Sequence, residues 1–192
     1  MVINSRVKMP LNFAILLLSL CLFSLSCGRQ SDDVSAATTV ESDGYTILTQ
    51  SKLPSMTLKW KIVDDTSIDI EVTGPTTGWV GVGFAPTTTE KMNGANLIIG
   101  YVSNGEVTIS DRFGTGPTSQ TEDTHANISQ KSGSETASTT TISFRLPLDS
   151  SDAQDFTFVQ GQKIDVLMAY GTGDAIQAHS QRARIDDVMI WD

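Results

Sequence analysis

One methionine and one histidine stand in two polar stretches of a chain that is otherwise patterned as β-strands. Met92 follows Glu90 and Lys91, and His179 lies in the stretch 173–180. A thioether and an imidazole, supplied by two loops of one β domain, can fill the two axial positions of a haem iron. The sequence therefore raises the hypothesis that Met92 and His179 are iron ligands. The alternatives are an incidental loop methionine and a surface histidine.

Other polar residues have two interpretations each. Asp111 and Asp123 are loop carboxylates that suit either a calcium ion or the capping of turns. His125 is interpreted as a surface residue or as a rival iron ligand. Arg182 and Arg184 follow His179 closely. Guanidinium binds carboxylate well, so these arginines fit either haem propionates or an outward strand face, and we favour the outward position for Arg184.

The motifs of several other chemistries are missing from the sequence. It contains no Gly-x-Ser-x-Gly nucleophile elbow, no histidine-rich zinc motif and no phosphate-binding glycine loop. We therefore do not expect an independent enzyme. It also has no Cys-x-x-Cys-His motif, which excludes covalently attached c-type haem.

The elements that must position these residues follow a period of two. Apolar residues alternate with polar ones in five segments, as in strands with one buried face. The alternating apolar residues are Met56, Leu58, Trp60 and Ile62; Ile68, Ile70 and Val72; Val107 and Ile109; Ile142, Phe144 and Leu146; and Ile164, Val166 and Met168. Turn signals separate the segments at 64–65, 74–75, 104–105, 114–117 and 132–133, and the Asn104-Gly105 pair predicts a two-residue hairpin. Many short antiparallel strands predict an all-β, two-sheet sandwich.

Two segments depart from simple alternation. In Trp79–Ala85, Gly81 and Gly83 fall on the strand face opposite Val80, Val82 and Phe84, which lets a bulky group approach the backbone. The segment from Leu97 to Tyr101 is apolar on both faces, which predicts a central strand.

In this order, these residues resemble the DOMON family, which includes the haem-binding cytochrome domain of cellobiose dehydrogenase. The resemblance covers roughly Tyr45 to Trp191. The segments that carry it are Trp60, 78–84, 92–96, 98–101, 111–114, Asp123, 141–148, 169–171, 179–180 and Arg182.

The resemblance implies an immunoglobulin-like antiparallel β-sandwich with a ligand slot between loops at one end. In haem-binding members the iron is held by one methionine and one histidine, which match Met92 and His179 by position. The implied cofactor is haem b, bound non-covalently, and the implied function is single-electron transfer. Other members are thought to bind sugars or other small ligands, or to mediate contacts, so a haem-free binding module is the alternative. Apolar residues available to line the slot are Trp79, Phe84, Ile98, Tyr101, Met168 and Tyr170, with Arg182 near the propionates.

The N-terminus has the pattern of a bacterial lipoprotein signal. Basic residues precede an apolar run from Phe13 to Leu25, which is too short to span a bilayer, and Ser26 precedes Cys27. We expect a signal peptide at 1–26, lipid on Cys27, a flexible tether at 27–43 and a DOMON-like domain at 44–192. The predicted location is the cell-envelope membrane, in the periplasm or at the cell surface. An ordinary secretory signal is the alternative.

The net charge of the chain limits the kinds of molecule that it can bind. The chain carries 13 basic and 22 acidic residues, and removal of Arg6 and Lys8 with the leader leaves 11 basic residues and a net charge of −11. This balance argues against nucleic acid, and it suits either plain solubility or a basic redox partner protein. Both cysteines lie in the leader region, so the domain is expected to have no disulfide.

Overall fold

The computed structural model describes residues 35–85, 91–125 and 127–192. Within these residues every regular element is a β-strand, and we number the strands in chain order. They are β1 (Ala36–Val40), β2 (Thr46–Gln50), β3 (Thr57–Asp64), β4 (Ser67–Gly74), β5 (Val80–Ala85), β6 (Asn96–Ser103), β7 (Glu106–Gly116), β8 (Ser119–Glu122), β9 (Ser129–Glu135), β10 (Thr140–Pro147), β11 (Lys163–Tyr170) and β12 (Gln181–Met189).

The strands form two six-stranded antiparallel sheets. The first sheet has the order β1-β2-β3-β4-β10-β9, and the second has the order β12-β11-β5-β6-β7-β8. All five segments predicted from alternation are strands of these sheets. The predicted all-β sandwich is therefore confirmed.

The core lies between the sheets and is built from the alternating apolar residues. Ile70 and Phe144 of the first sheet and Val82 and Val166 of the second are at most 2% exposed. Burial of a side chain of this size contributes about 1.5–3 kcal/mol, so the alternation is the main source of stability. Trp60 closes one side of the core, where its Nε1 donates to the carbonyl of Ile190 at 2.7 Å.

Two predictions about the second sheet are confirmed. Asn104 and Gly105 connect β6 to β7 with φ values of 53° and 82°. Both residues have positive φ, as a hairpin turn that follows the strand twist requires. Strand β6 lies between β5 and β7 and is buried on both faces from Asn96 to Gly100.

The turn predicted at Ser132-Gly133 is wrong, because both residues lie inside β9. A Cβ at Gly133 would lie 2.7 Å from Val107 Cγ2 and 2.9 Å from Val102 Cγ2. The glycine therefore serves a close approach between the sheets and not a turn. Strand β1 also differs from expectation, since it pairs with β2 inside the stretch predicted as a tether. All five of its residues are exposed, so its pairing rests on backbone hydrogen bonds and leaves no apolar pattern.

The predicted signal peptide, Cys27 and the first part of the predicted tether lie outside the described residues. Among the residues that the structure describes, no helix has the length and apolar character needed to cross a membrane.

Candidate functional site

The second sheet is apolar on the face that points away from the first sheet. In β5, Val80, Val82 and Phe84 point into the core, so Gly81 and Gly83 lie on the opposite side. The same outward side carries seven small or apolar residues of the three central strands, which we call the outer apolar face: Gly81, Gly83, Leu97, Ile99, Tyr101, Leu167 and Ala169. The outer face of the first sheet is different, since it carries charged residues such as Lys59, Asp69 and Arg145.

Side chains from the two strands beside β5 occupy the space that its glycines leave free. A Cβ at Gly83 would lie 2.6 Å from Leu97 Cδ2 and 3.1 Å from Leu167 Cβ, and a Cβ at Gly81 would lie 3.1 Å from Ile99 Cγ1. Leu97 and Ile99 are 6% and 7% exposed, although they face away from the other sheet. The glycines thus allow the side chains of β6 and β11 to lean inward and form a low, continuous apolar floor.

Met92 lies at one end of this floor. It is half-buried and packs with Leu167 against the small cluster of Ala85, Ala95 and Leu97. Its carbonyl accepts a hydrogen bond from the Ala95 N–H at 3.1 Å, which closes a turn over 92–95. This contact places the thioether-bearing residue beside the outer apolar face.

Gly114 of β7 fixes the Met92 turn. The Gly94 N–H donates to the Gly114 carbonyl at 2.7 Å, and the Gly114 N–H donates to the Ala95 carbonyl at 2.9 Å. A Cβ at Gly114 would overlap the Met92 carbonyl oxygen. Only glycine permits this approach, which explains the glycine after Asp111-Arg112-Phe113.

Arg184 secures the other side of the same loop. Its Nη1 donates to the Lys91 carbonyl at 2.9 Å, its Nη2 pairs with Asp165 and its Nε donates to Asp186 at 3.0 Å. Lys91 has a φ of 55°. Burial raises the pKa of the Asp165 carboxyl, and its hydrogen bond with Arg184 opposes that rise. Arg184 therefore joins β11 and β12 to the residue before Met92.

His179 lies at the opposite end of the floor, in the connection between β11 and β12. Its side chain is exposed. The base of this connection is closed by a hydrogen bond from the Ser180 N–H to the Tyr170 carbonyl at 2.8 Å. Backbone hydrogen bonds from Gly171 to Trp79 and from Trp79 to Gly173, at 2.9 and 3.2 Å, attach it to β5.

Thr76 holds the start of this connection from the first sheet. Its hydroxyl donates to the Gly171 carbonyl at 2.6 Å and accepts from the Gly78 N–H at 3.0 Å. Its own carbonyl accepts from the Thr140 hydroxyl at 2.9 Å. The loop that presents His179 thus begins from a fixed point.

The pairing of β11 with β12 gives the distance between the two ends of the floor. Met92 packs beside Leu167, which pairs with Arg184, whereas His179 precedes Gln181, which pairs with Tyr170. The two ends are therefore separated by three to five strand residues, on the order of 10–17 Å. Met92 and the loop of His179 therefore stand at the two ends of one apolar floor.

Comparison with known proteins identifies the domain. The family model of the DOMON domain matches residues 51–171, more than half of the chain. The chain belongs to the DOMON domain family. Its fold agrees with two solved structures, the cytochrome b domain of pyranose dehydrogenase from Coprinopsis cinerea and the cytochrome domain of Myriococcum thermophilum cellobiose dehydrogenase. The TM-score is 0.58 for both, at 16% and 15% identity, over 79% and 80% of this chain and 86% and 88% of theirs.

Two curated proteins also match this DOMON domain over part of their length. The human "Putative DBH-like monooxygenase protein 2" is 28% identical over 135 residues, and the Drosophila melanogaster "MOXD1 homolog 2" is 29% identical over 117 residues. The matches cover 69% and 60% of this chain, but only 26% and 15% of those proteins. The chain therefore spans about a quarter or less of these relatives.

The structure divides the predicted slot residues of the DOMON domain between two faces. By strand alternation, Trp79, Tyr101 and Arg182 share the outward side with the floor, and the indole of Trp79 lies against Gly171. Phe84 points into the core, where its ring meets Phe158 at a centroid distance of 5.0 Å. Ile98 and Met168 are buried in the core, and Tyr170 packs against it, so these three residues also point inward.

Tyr170 lines a depression of about 180 Å³ with Leu53, Pro54 and Pro75, on a different side of the domain from the outer apolar face. A second depression, of about 340 Å³, lies beside β1 and β2. These two hollows hold neither Met92 nor His179. Both candidate metal ligands lie at the ends of the outer apolar face instead.

Sequence reasoning missed several residues that shape the site. Leu167 and Thr76 have no local pattern that marks them, because their roles come from strand register and from contacts across the sandwich. The Arg184–Asp165 pair was also missed as a pair, since 19 residues separate its members. The sequence showed the glycine of the Asp111–Gly114 motif, but it did not show that this glycine lies against the Met92 carbonyl.

The two aspartates with a possible calcium role lie in a separate cluster at the Met92 end of the core. Asp111 is 2% exposed, and burial together with the charge of Asp155 raises the pKa of its carboxyl to about 6. Asp123 caps a turn, since its Oδ1 accepts from the His125 N–H at 2.8 Å. His125 is exposed, and its Nδ1 lies 3.4 Å from Asp152 Oδ2.

Proposed function

We propose that this DOMON domain binds one haem b non-covalently on the outer apolar face, between Met92 and His179, and transfers single electrons. One observation carries the proposal: an apolar floor, unusual on the outside of a sandwich, has a methionine at one end and a histidine loop at the other. The two solved structures of the same fold are named as cytochrome domains, which supports this choice of ligand.

The donor atoms suit the cofactor. A thioether favours ferrous iron and raises its potential, whereas an imidazole suits both oxidation states. When bound, the haem supplies a one-electron couple. Met92 and His179 would hold the iron, and with both side chains bound to it the iron would have no free position for a substrate. The proposal is therefore an electron carrier without catalytic activity of its own.

The floor suits a flat apolar ring. Leu97, Ile99 and Leu167 would exclude water from a bound ring, and Trp79 and Tyr101 lie on the same outward side. Arg182 stands on that side opposite Ala169, where its guanidinium can receive a propionate. Phe84 and Tyr170 have no place in this arrangement, since they contribute to the core.

The test is the visible spectrum of the full chain, purified from a haem-sufficient host, as isolated and after reduction. We expect the sharp reduced bands of a six-coordinate low-spin haem. His179→Ala should abolish that spectrum or convert it to a high-spin form, and the matched control His125→Ala should leave it unchanged. Met92→Leu should lower the potential and weaken binding, whereas Met189→Leu should change neither.

A colourless protein that gains no stable spectrum when haem is added contradicts the proposal. Loss of the spectrum in His125→Ala, with His179→Ala unaffected, would contradict the assigned ligand. In the first case the haem-free alternative, a module for a sugar or another small ligand, becomes the better interpretation.

The proposal includes attachment to the cell-envelope membrane through lipid on Cys27, where the acidic domain would meet a basic redox partner. The experiment is metabolic labelling with a radioactive fatty acid. Cys27→Ser should abolish the label and release the chain from the membrane fraction, and Cys21→Ser should leave both unchanged. Equal labelling of the two variants would contradict lipidation at Cys27.

A further inference from the structure

A group of three carboxylates at the Met92 end of the core has no role in the proposed electron transfer. Asp111 lies on β7, Asp123 directly follows β8 and Asp155 lies between β10 and β11. One oxygen from each lies within 4.8 Å of the others. Asp111 and Asp123 are 2% and 5% exposed, so two of the three charges are withdrawn from water.

Neighbouring basic side chains are directed to other groups. Arg112 donates to Gln120 and Ser110, and Lys131 donates to the Ile109 carbonyl. The ion pairs of the described residues use none of the three carboxylates. Like charges held this close repel strongly in a medium of low dielectric constant, so the group requires a compensating positive charge.

One oxygen of the group is left without a partner. The Oδ2 of Asp123 is buried and has no hydrogen-bond donor among the residues that the structure describes, while its Oδ1 accepts from the His125 N–H. A buried carboxylate oxygen without a donor or cation is costly, and native structures seldom retain one. This oxygen belongs to a carboxylate grouped with those of Asp111 and Asp155, so it is available to a ligand held among them.

Two asparagine side chains complete the surroundings. Asn96 Nδ2 donates to Asp111 Oδ1 at 3.0 Å and to Asp155 Oδ1 at 3.2 Å. Asn127 Nδ2 donates to Asp155 Oδ2 at 2.7 Å. Rotation of either amide by 180° would present its oxygen instead. The group can therefore supply carboxylate and amide oxygens, with no sulfur among them.

We propose that Asp111, Asp123 and Asp155, with the amides of Asn96 and Asn127, form a calcium site that joins β6 and β7 to the segments that follow β8 and β10. Ca²⁺ takes six to eight oxygen ligands in a flexible geometry, which suits carboxylates from separate segments. Mg²⁺ requires a tighter octahedron and retains more water. Zn²⁺ prefers nitrogen or sulfur, and the nearby histidine, His125, faces Asp152 instead.

The first experiment is a titration of the full chain, freed of metal with a chelator, with CaCl₂ alone, followed by isothermal calorimetry and thermal unfolding. We expect one ion per chain and a rise in Tm of about 5–10 °C at saturating calcium. Magnesium should give a smaller rise. The absence of both heat and Tm shift overturns the proposal, and this measurement requires no variant.

The second experiment compares carboxamide variants, which preserve side-chain shape. Asp123→Asn and Asp155→Asn should each weaken calcium binding at least tenfold, and the exposed Asp187→Asn should not. Without metal, Asp123→Asn should be as stable as the wild type or more so, because it removes a buried charge. A merely structural role would instead lower its stability and leave calcium affinity unchanged, which overturns the proposal. Zinc binding that is lost in His125→Ala and Asp152→Asn, without calcium binding, also overturns it.

Discussion

At the scale of single residues, Gly114 determines where the Met92 side chain can be. Its missing Cβ leaves room for the Met92 carbonyl, and two backbone hydrogen bonds close the contact. We expect Gly114→Ala to lower the free energy of unfolding by about 2–4 kcal/mol, because the methyl group forces the turn away from β7. Urea unfolding checks this value.

Gly173→Ala is the matched control for the Gly114 substitution. Among the described residues, no atom lies within 4 Å of a Cβ placed at Gly173, and the φ of Gly173 lies outside the left-handed region. We expect a change of about 0.5 kcal/mol or less. Equal changes in the free energy of unfolding for the two substitutions would show that the close approach at Gly114 does not contribute to stability.

Arg184 is the second residue on which the Met92 loop depends, and its effect should vary with pH. Arg184→Ala leaves Asp165 buried without its guanidinium, at a cost of about 3 kcal/mol. Burial already raises the pKa of Asp165, and loss of Arg184 raises it further. An acid with a raised folded-state pKa loses its contribution to stability as pH rises, so the cost should be larger near pH 8 than near pH 5.

Chemical unfolding of wild type and Arg184→Ala at several pH values measures this dependence. Arg145→Ala is the control, because Arg145 pairs with Asp69 by two hydrogen bonds at 2.6 and 2.8 Å, with both side chains about a quarter exposed. Its loss should cost about 1 kcal/mol. A cost for Arg184→Ala that grows toward acid would contradict the role assigned to Asp165.

At the scale of elements, the connection between β11 and β12 is anchored by Thr76. Thr76→Val keeps the shape of the side chain, but it leaves the Gly78 N–H and the Gly171 carbonyl without a partner. We expect a loss of about 1–3 kcal/mol and faster amide exchange at Gly171 and Gly173. The neighbouring Thr77 is exposed, so Thr77→Val should change neither. Unchanged exchange in Thr76→Val would contradict the anchoring role.

A strand could be predicted from the sequence when burial of its side chains stabilises it. Strands β3, β4 and β10 bury one face, so their apolar residues alternate and the sequence reveals them. Strands β1 and β9 are exposed throughout, and backbone pairing leaves no side-chain pattern. Both are edge strands of the first sheet.

The candidate site shows the same division. The residue types of Met92 and His179 were visible in the sequence, and so was the glycine face of β5. The inward direction of Tyr170 and the grouping of Asp155 with Asp111 were not visible, because they depend on strand register and on two segments 44 residues apart in the chain. Sequence pattern therefore suggested the ligands, but not the surface between them.

At the scale of the whole molecule, the two sheets differ in what their outer faces present. The first sheet is polar outside, as in an ordinary sandwich. The second is apolar on both sides, so its central strands contribute to the core and also to the floor beside Met92. The family and the fold are shown by comparison, whereas the haem proposal depends on this difference between the sheets.

The calcium proposal has a consequence for the stability of the whole domain that can be measured without calcium. The carboxyl of Asp111 has a pKa of about 6 in the folded chain, against an ordinary value of 3.8. The folded state therefore binds more protons than the unfolded state between these values, and stability falls as pH rises through them. The difference corresponds to roughly 3 kcal/mol at neutral pH.

We expect this trend in EDTA when the free energy of unfolding of the wild type is compared with that of Asp111→Asn between about pH 4 and pH 7.5. Relative to the variant, the wild type should lose roughly 2 kcal/mol from pH 4 to pH 6 and level off above about pH 7. Saturating calcium should reverse the trend, because the ion binds the carboxylate and competes with the proton. A difference that is flat with pH in EDTA would show that the three carboxylates repel each other less than their burial requires, and it would remove the electrostatic reason for a cation there.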